Sequence, residues 1–236
     1  MPALVTRSLF VSLLSALALS GTAHAADGKS LYAANCSRCH GALGNGLPGL
    51  APSLRDAGAL GADFYLRTGY MPLDDPQTHP SRTRVLFSEP ELRALVRYVA
   101  SLGNGPPIPH PRWRDANVAA GLTLFTGHCA GCHQIVARGG YVTGARVPAL
   151  GRATPTQIAE AVRQGPYLMP RFSPKAISDR QLDDLVAYVQ YAKHPDDRGG
   201  WALGHLGPWP EGMVTWLLAA SALVGVCTLL ARRVRS

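Results

Sequence analysis

Hydrophobic positions recur at helical spacing twice, in closely similar form. Leu95, Tyr98 and Val99 make one i, i+3, i+4 face, and Leu185, Tyr188 and Val189 make another. Each stretch opens on a helix-start signal. Ser88 is followed three residues on by Glu91, and Ser178 by Gln181, the spacing of a capping box. Further upstream, Gly28-Lys29-Ser30-Leu31-Tyr32 and Gly121-Leu122-Thr123-Leu124-Phe125 each read as a short helix. Two longer apolar runs bracket the chain, Leu9 to Leu19 and Met213 to Ala231. The pattern predicts a mainly α protein with two similar halves.

The outer runs differ in kind. Leu9 to Leu19 is short, follows Arg7 and precedes Ala23-His24-Ala25, a small-x-small cleavage site. That is a secretory signal over residues 1–25, with an uncleaved N-terminal anchor as the alternative. Met213 to Ala231 carries no charge and is long enough to cross about 30 Å of hydrocarbon. Arg232, Arg233 and Arg235 follow, in the tail 232–236, so the positive-inside rule puts the C-terminus in the cytoplasm. Trp209 and Trp216 mark the outer interface. A buried core helix would rarely combine this length with a basic stop. Cys227 lies inside the span without a partner at motif spacing and reads as a packing residue.

Each short helix leads into Cys-x-x-Cys-His: Cys36-Ser37-Arg38-Cys39-His40 and Cys129-Ala130-Gly131-Cys132-His133. This spacing attaches c-type haem. Two thiols form thioethers with the haem vinyl groups, and the adjacent imidazole is carried beneath the iron as proximal ligand. A zinc site would need the two distant motifs to share ligands. A thioredoxin-like pair would need a preceding strand and would leave the His idle. A disulfide between cysteines this close is uncommon. The chain is expected to hold two covalent haems.

The duplication extends past the motifs. Each copy has a Gly-rich loop, then Pro52-Ser53-Leu54 or Pro148-Ala149-Leu150, then Met71-Pro72 or Met169-Pro170. Of four Met, Met1 is the initiator and Met213 opens the span, which leaves Met71 and Met169, one per repeat, as candidate sixth ligands. The rivals His79, His110, His128, His194 and His205 are not duplicated between the repeats, and His128 sits too near the attachment site to reach the far face. Pro106, Pro107, Pro109 and Pro111 make a stiff, semi-extended linker. The expected layout is cytochrome domain 1 over 26–103, linker 104–116, domain 2 over 117–194, a Gly/Pro/Trp segment over 195–212 and a membrane helix over 213–231.

Each repeat resembles the class I cytochrome c fold. The resemblance implies a crossing of first and last helices, with Gly28 against Tyr98 and Gly121 against Tyr188. It also implies that the carbonyls of Pro52 and Pro148 accept the Nδ1 hydrogen of His40 and His133, which fixes the tautomer. So small a domain buries little apolar surface, and a covalent haem would add to it.

Charge narrows the partners. Setting aside Arg7, Arg232, Arg233 and Arg235 leaves 19 Lys and Arg against 15 Asp and Glu, and no basic run is interleaved with aromatics. Nucleic acid is therefore not an expected partner. No Ser/His/Asp or paired-carboxylate constellation appears, and two His/Met irons leave no open coordination site, so no catalytic residue is assigned.

The order of signal, two such repeats and one C-terminal span resembles the di-haem cytochrome cc subunit of actinobacterial-type menaquinol:cytochrome c reductase, the cytochrome bcc complex. Gly199-Gly200-Trp201-Ala202-Leu203-Gly204 and Gly207-Pro208-Trp209-Pro210-Glu211-Gly212-Met213 are similar to that family's approach to its anchor. The resemblance implies a single-pass protein of the plasma membrane with its haems outside. It implies partners in cytochrome b and a Rieske iron–sulfur protein, and a relay toward the copper centre of a terminal oxidase. Rival readings are a di-haem acceptor subunit of a membrane dehydrogenase, a cytochrome subunit of a terminal oxidase, a di-haem peroxidase, and a structural or sensory haem protein.

Overall fold

A computed structural model describes residues 27–75, 82–142, 144–195 and 208–235. The signal 1–25, His79, His205 and the Gly199–Gly207 stretch with Trp201 lie outside the described residues. By contact density the chain forms two compact units, Met1–His110 with Thr156–Ile177, and Pro111–Pro155 with Ser178–Ser236.

The first unit contains α1 (Gly28–Asn35), α2 (Ser37–His40), α3 (Gly58–Arg67), α4 (Glu89–Ser101) and α7 (Pro155–Gln164) with the loop that follows it. Asp27 starts α1 by accepting from the N–H groups of Lys29 and Ser30 at 3.2 and 3.1 Å. Glu91 holds the start of α4 by accepting from the Ser88 N–H at 2.8 Å. The apolar face of α4 closes over α1 and α3, burying Leu92, Leu95, Val96 and Val99 with Tyr32, Ala62 and Leu66.

The crossing of α1 and α4 depends on Gly28, where a Cβ would run into the Ala94 carbonyl. The Tyr32 and Tyr98 rings meet beside it, centroids 5.1 Å apart and tilted by 49°. The second unit repeats this construction with α5 (Val118–His128) and α8 (Asp179–Tyr191). Asn117 caps α5, Gly121 lies against the Asp184 carbonyl, and Phe125 meets Tyr188 at 5.2 Å and 52°. The helix crossing expected from the class I resemblance is thus formed in both units.

Two helices have no counterpart in the sequence reading. α3 and α7 occupy the same place in their repeats, between the Pro-x-Leu step and the Met. The second unit also holds α6 (Ala130–His133) and an antiparallel hairpin of β1 (Gly140–Val142) and β2 (Ala145–Val147), in register Tyr141 to Arg146. The hairpin arises from chain length. The His-to-Pro separation is 12 residues in the first repeat and 15 in the second.

The Pro-rich linker is anchored by its backbone at each end. The Leu60 N–H donates to Pro106 O at 3.1 Å, and the Arg112 N–H donates to Asp183 Oδ1 at 2.7 Å. Beyond the described gap, α9 (Pro208–Arg235) has 28 residues, about 42 Å at 1.5 Å each. Its Gly212–Val234 portion has a mean hydropathy of 2.1 and no buried residue. Among the described residues it is the one helix long and apolar enough to span a membrane.

Candidate haem attachment sites

Each motif is a helix–break–helix corner. Cys36 ends α1, its N–H donating to Tyr32 O at 2.8 Å, and then opens α2 by accepting from His40 N at 2.9 Å. Cys129 does the same between α5 and α6, with Phe125 O at 2.8 Å and His133 N at 2.9 Å. One helical turn therefore separates the first motif Cys from the His. The following loop closes identically: Gly46 N–H donates to His40 O at 2.8 Å, and Gly139 N–H to His133 O at 2.9 Å. The Pro-x-Leu step is pinned by Leu54 N–H to Gly44 O at 2.8 Å and Leu150 N–H to Ala137 O at 2.9 Å.

Those loops deliver the Pro carbonyls. His40 Nδ1 lies 2.9 Å from Pro52 O, and His133 Nδ1 lies 3.2 Å from Pro148 O. A carbonyl only accepts, so Nδ1 carries the hydrogen and Nε2 keeps its lone pair for a metal. Both rings are buried. Burial holds the His133 imidazole below its usual range, against the opposing pull of the Pro148 bond, which favours the neutral, ligating form.

Burial, and then the neighbouring motif thiol, push Cys36 and Cys129 each up to about 11. A thioredoxin-like nucleophile would show the reverse shift.

The residues fit a haem. Around the motifs, apolar side chains are left bare of protein cover: Leu43 and Leu47, with Leu86 after Met71, in the first repeat, and Ile135 and Val136 in the second. A groove of about 540 Å³ runs over Leu47, Leu50, Ala51 and Pro52. A planar apolar macrocycle would cover this surface. Cys36, Leu54 and Met71 border the same apolar core, with Met71 N–H donating to Tyr65 O at 3.1 Å. Met169 lies in the Thr156–Ile177 segment of the first unit, half-buried, its N–H donating to Pro166 O at 3.0 Å. His110 and His194 are in irregular segments, and His128 ends α5.

Two tyrosines brace the corners from different helices. Tyr32 of α1 donates its hydroxyl to Gly41 O at 2.7 Å, and Tyr188 of α8 donates to Ile135 O at 2.5 Å. The sequence places Tyr32 only in a short helix and Tyr188 only in a helix crossing. It equally leaves unmarked a set of charged side chains on α3, α4 and α7, of which Asp63, Glu160 and Arg163 are buried. The one available signal was Asp63 and Arg67 at i, i+4 spacing.

A family model for cytochrome c matches residues 25–103, and one for cytochrome C oxidase, cbb3-type, subunit III, matches residues 116–189. The cytochrome bc1 complex cytochrome c subunit of Corynebacterium diphtheriae is 34% identical over 225 residues, covering 88% of this chain and 80% of that protein. The subunit of the same name from Mycobacterium tuberculosis is 33% identical over 223 residues, covering 91% and 80%. The cbb3-type cytochrome c oxidase subunit CcoP of an Azospirillum species is 31% identical over 188 residues, covering 70% of this chain and 60% of that one. Two cytochrome c domains, one C-terminal helix fit to span a membrane, and similarity that runs through most of the chain place this protein in the family of cytochrome c subunits of the cytochrome bc1 complex.

Proposed function

We propose that this chain is the membrane-anchored di-haem electron-transfer subunit of a menaquinol:cytochrome c reductase. It accepts electrons from a Rieske iron–sulfur protein beside cytochrome b and passes them toward the copper centre of a terminal oxidase. The observation that carries the reading is the similarity to bc1-complex cytochrome c subunits across 88% of the chain. Cys36, Cys39, Cys129 and Cys132 tether the two haems, and His40 and His133 ligate through Nε2. Met71 and Met169 supply the opposite ligands. Pro52 and Pro148 hold the imidazole rings in the ligating tautomer. Held so, haem c supplies one-electron chemistry at a potential raised by thioether ligation. The two domains lie outside the cytoplasm, with Arg232, Arg233 and Arg235 inside.

The test is mild detergent purification of the tagged chain from its native membrane, with reduced-minus-oxidised spectra and subunit identification. Haem b and a Rieske protein in constant ratio to haem c are the expected result, with haem a beside them if the oxidase is attached. The match to a cbb3-type oxidase subunit favours one second reading. A haem–copper subunit without a Rieske protein in the same preparation would move the chain there. Haem c with a dehydrogenase would move it to that complex.

A further inference from the structure

Glu160 on α7 is fully buried, and neither carboxylate oxygen has a hydrogen-bond partner among the described residues. The group that bears on it most closely is another acid, Asp63 of α3, itself 5% exposed. Asp63 is already engaged, Oδ1 accepting from Arg67 Nε at 2.7 Å. Arg67 also forks onto Glu89 of α4 at 2.5 and 2.9 Å, and Arg93 joins Glu89 at 2.9 Å. Two acids there face two guanidiniums, and among the described residues neither guanidinium donates to Glu160. On the α7 side, Arg163 Nη1 donates to the carbonyls of Phe172 and Ile177 at 3.2 and 2.7 Å, and Arg171 Nε donates to Arg163 O at 3.0 Å. Tyr65 bonds Gln164 one turn along.

An ionised carboxylate buried without a donor is strongly disfavoured, and a second carboxylate beside it adds repulsion. A proton removes both penalties and creates the missing donor, because two facing carboxylates can bond only through a shared hydrogen. We propose that Glu160 is a proton-binding site: its carboxyl is protonated at neutral pH, donates to Asp63, and so fastens α7 to α3. Burial first, then the Asp63 charge, push Glu160 up to about 9, with Arg67 opposing. The folded chain therefore holds a proton that an opened one releases above the ordinary carboxylate range. The fastening is at full strength below about 4.5 and weakens as pH rises toward 9. α3 runs into the Met71 loop and α7 into the Met169 loop, so the fastening also steadies both. The inference does not depend on which complex the chain joins.

The test uses the full-length, haem-loaded protein in detergent. Infrared spectra at pH 7 should show a protonated-carboxyl C=O band that shifts in D2O and is lost in Glu160→Gln. Hydrogen-exchange protection of α3 and α7, corrected for intrinsic rates, should fall by about tenfold per pH unit between pH 7 and 9. It should be flat in Glu160→Gln. Should that variant fail to fold, Asp63→Asn moves or removes the band, because it replaces the charged acceptor and supplies an amide donor. Absence of the band in the parent protein, its persistence in Glu160→Gln, an unmoved band in Asp63→Asn, or equal exchange slopes in parent and Glu160→Gln would overturn the proposal.

Discussion

Tyr32 and Tyr188 hold equivalent loops from non-equivalent helices. The first hydroxyl reaches the residue after His40, and the second reaches two residues past His133. In the second repeat Phe125 stands where Tyr32 would, so the tether has moved across the helix crossing to α8. Tyr32→Phe and Tyr188→Phe each leave a carbonyl short of its donor, and each should cost about 1–2 kcal/mol in denaturant unfolding. The loss should be local, visible as faster exchange in the loop after the matching His. On the proposed ligation, Met71→Ala should remove the sulfur-to-iron charge-transfer absorption from one haem and leave the other intact. Low-spin spectra unchanged by this substitution would return the peroxidase reading to contention. The motif residues were legible because covalent haem attachment fixes residue type and spacing within five positions. The Tyr188 tether was not, because a hydroxyl's partner 53 residues away leaves no local pattern.

Among the helices, α5 contains its own control. Gly121 lies against the Asp184 carbonyl, whereas a Cβ at Gly127 would meet nothing within 4 Å. Gly121→Ala should force α5 from α8 and destabilise by about 1–3 kcal/mol, while Gly127→Ala should be neutral or stabilising by up to about 1 kcal/mol. Thermal unfolding of both variants separates the two effects. The caps differ in a testable way too. Hydrogen bonds from the Ser88 hydroxyl and N–H hold Glu91 below its usual range, so that cap contributes above the ordinary carboxylate pKa and is lost as pH falls through the lowered value. Gln181 cannot titrate. Acidification should therefore fray the start of α4 and spare α8, which exchange at the two helix starts would show. These capped, periodic helices were legible from local pattern. α3 and α7 were not. Gly58 and Gly61 interrupt α3, and α7 is only ten residues long, its Ile158, Ala159 and Val162 face shared with buried Glu160 and Arg163. Asp63 and Glu160 also come together across almost a hundred residues of chain, which no local pattern announces.

At the scale of the whole molecule, the C-terminal helix that is apolar enough to span a membrane is expected to add location rather than stability. Its apolar stretch has no buried residue, and Trp216, Leu217 and Leu223 are among the most exposed large side chains. An apolar surface of that size and length fits contact with lipid or with partner membrane helices. The buried core instead comes from α1 to α8 and their crossings, with the haems proposed to fill them. A chain ending before Pro208 should therefore keep its haem spectra and unfold within about 0.5 kcal/mol of the parent, the range of surface changes. It should leave the membrane fraction and cease to co-purify with haem b. A large drop in stability would instead mean that the helix packs on the haem domains as part of their fold. Retention on the membrane without the helix would mean that the domains bind their partners tightly enough alone, and the anchor would then serve to raise the rate of encounter by confining the haems to the membrane surface.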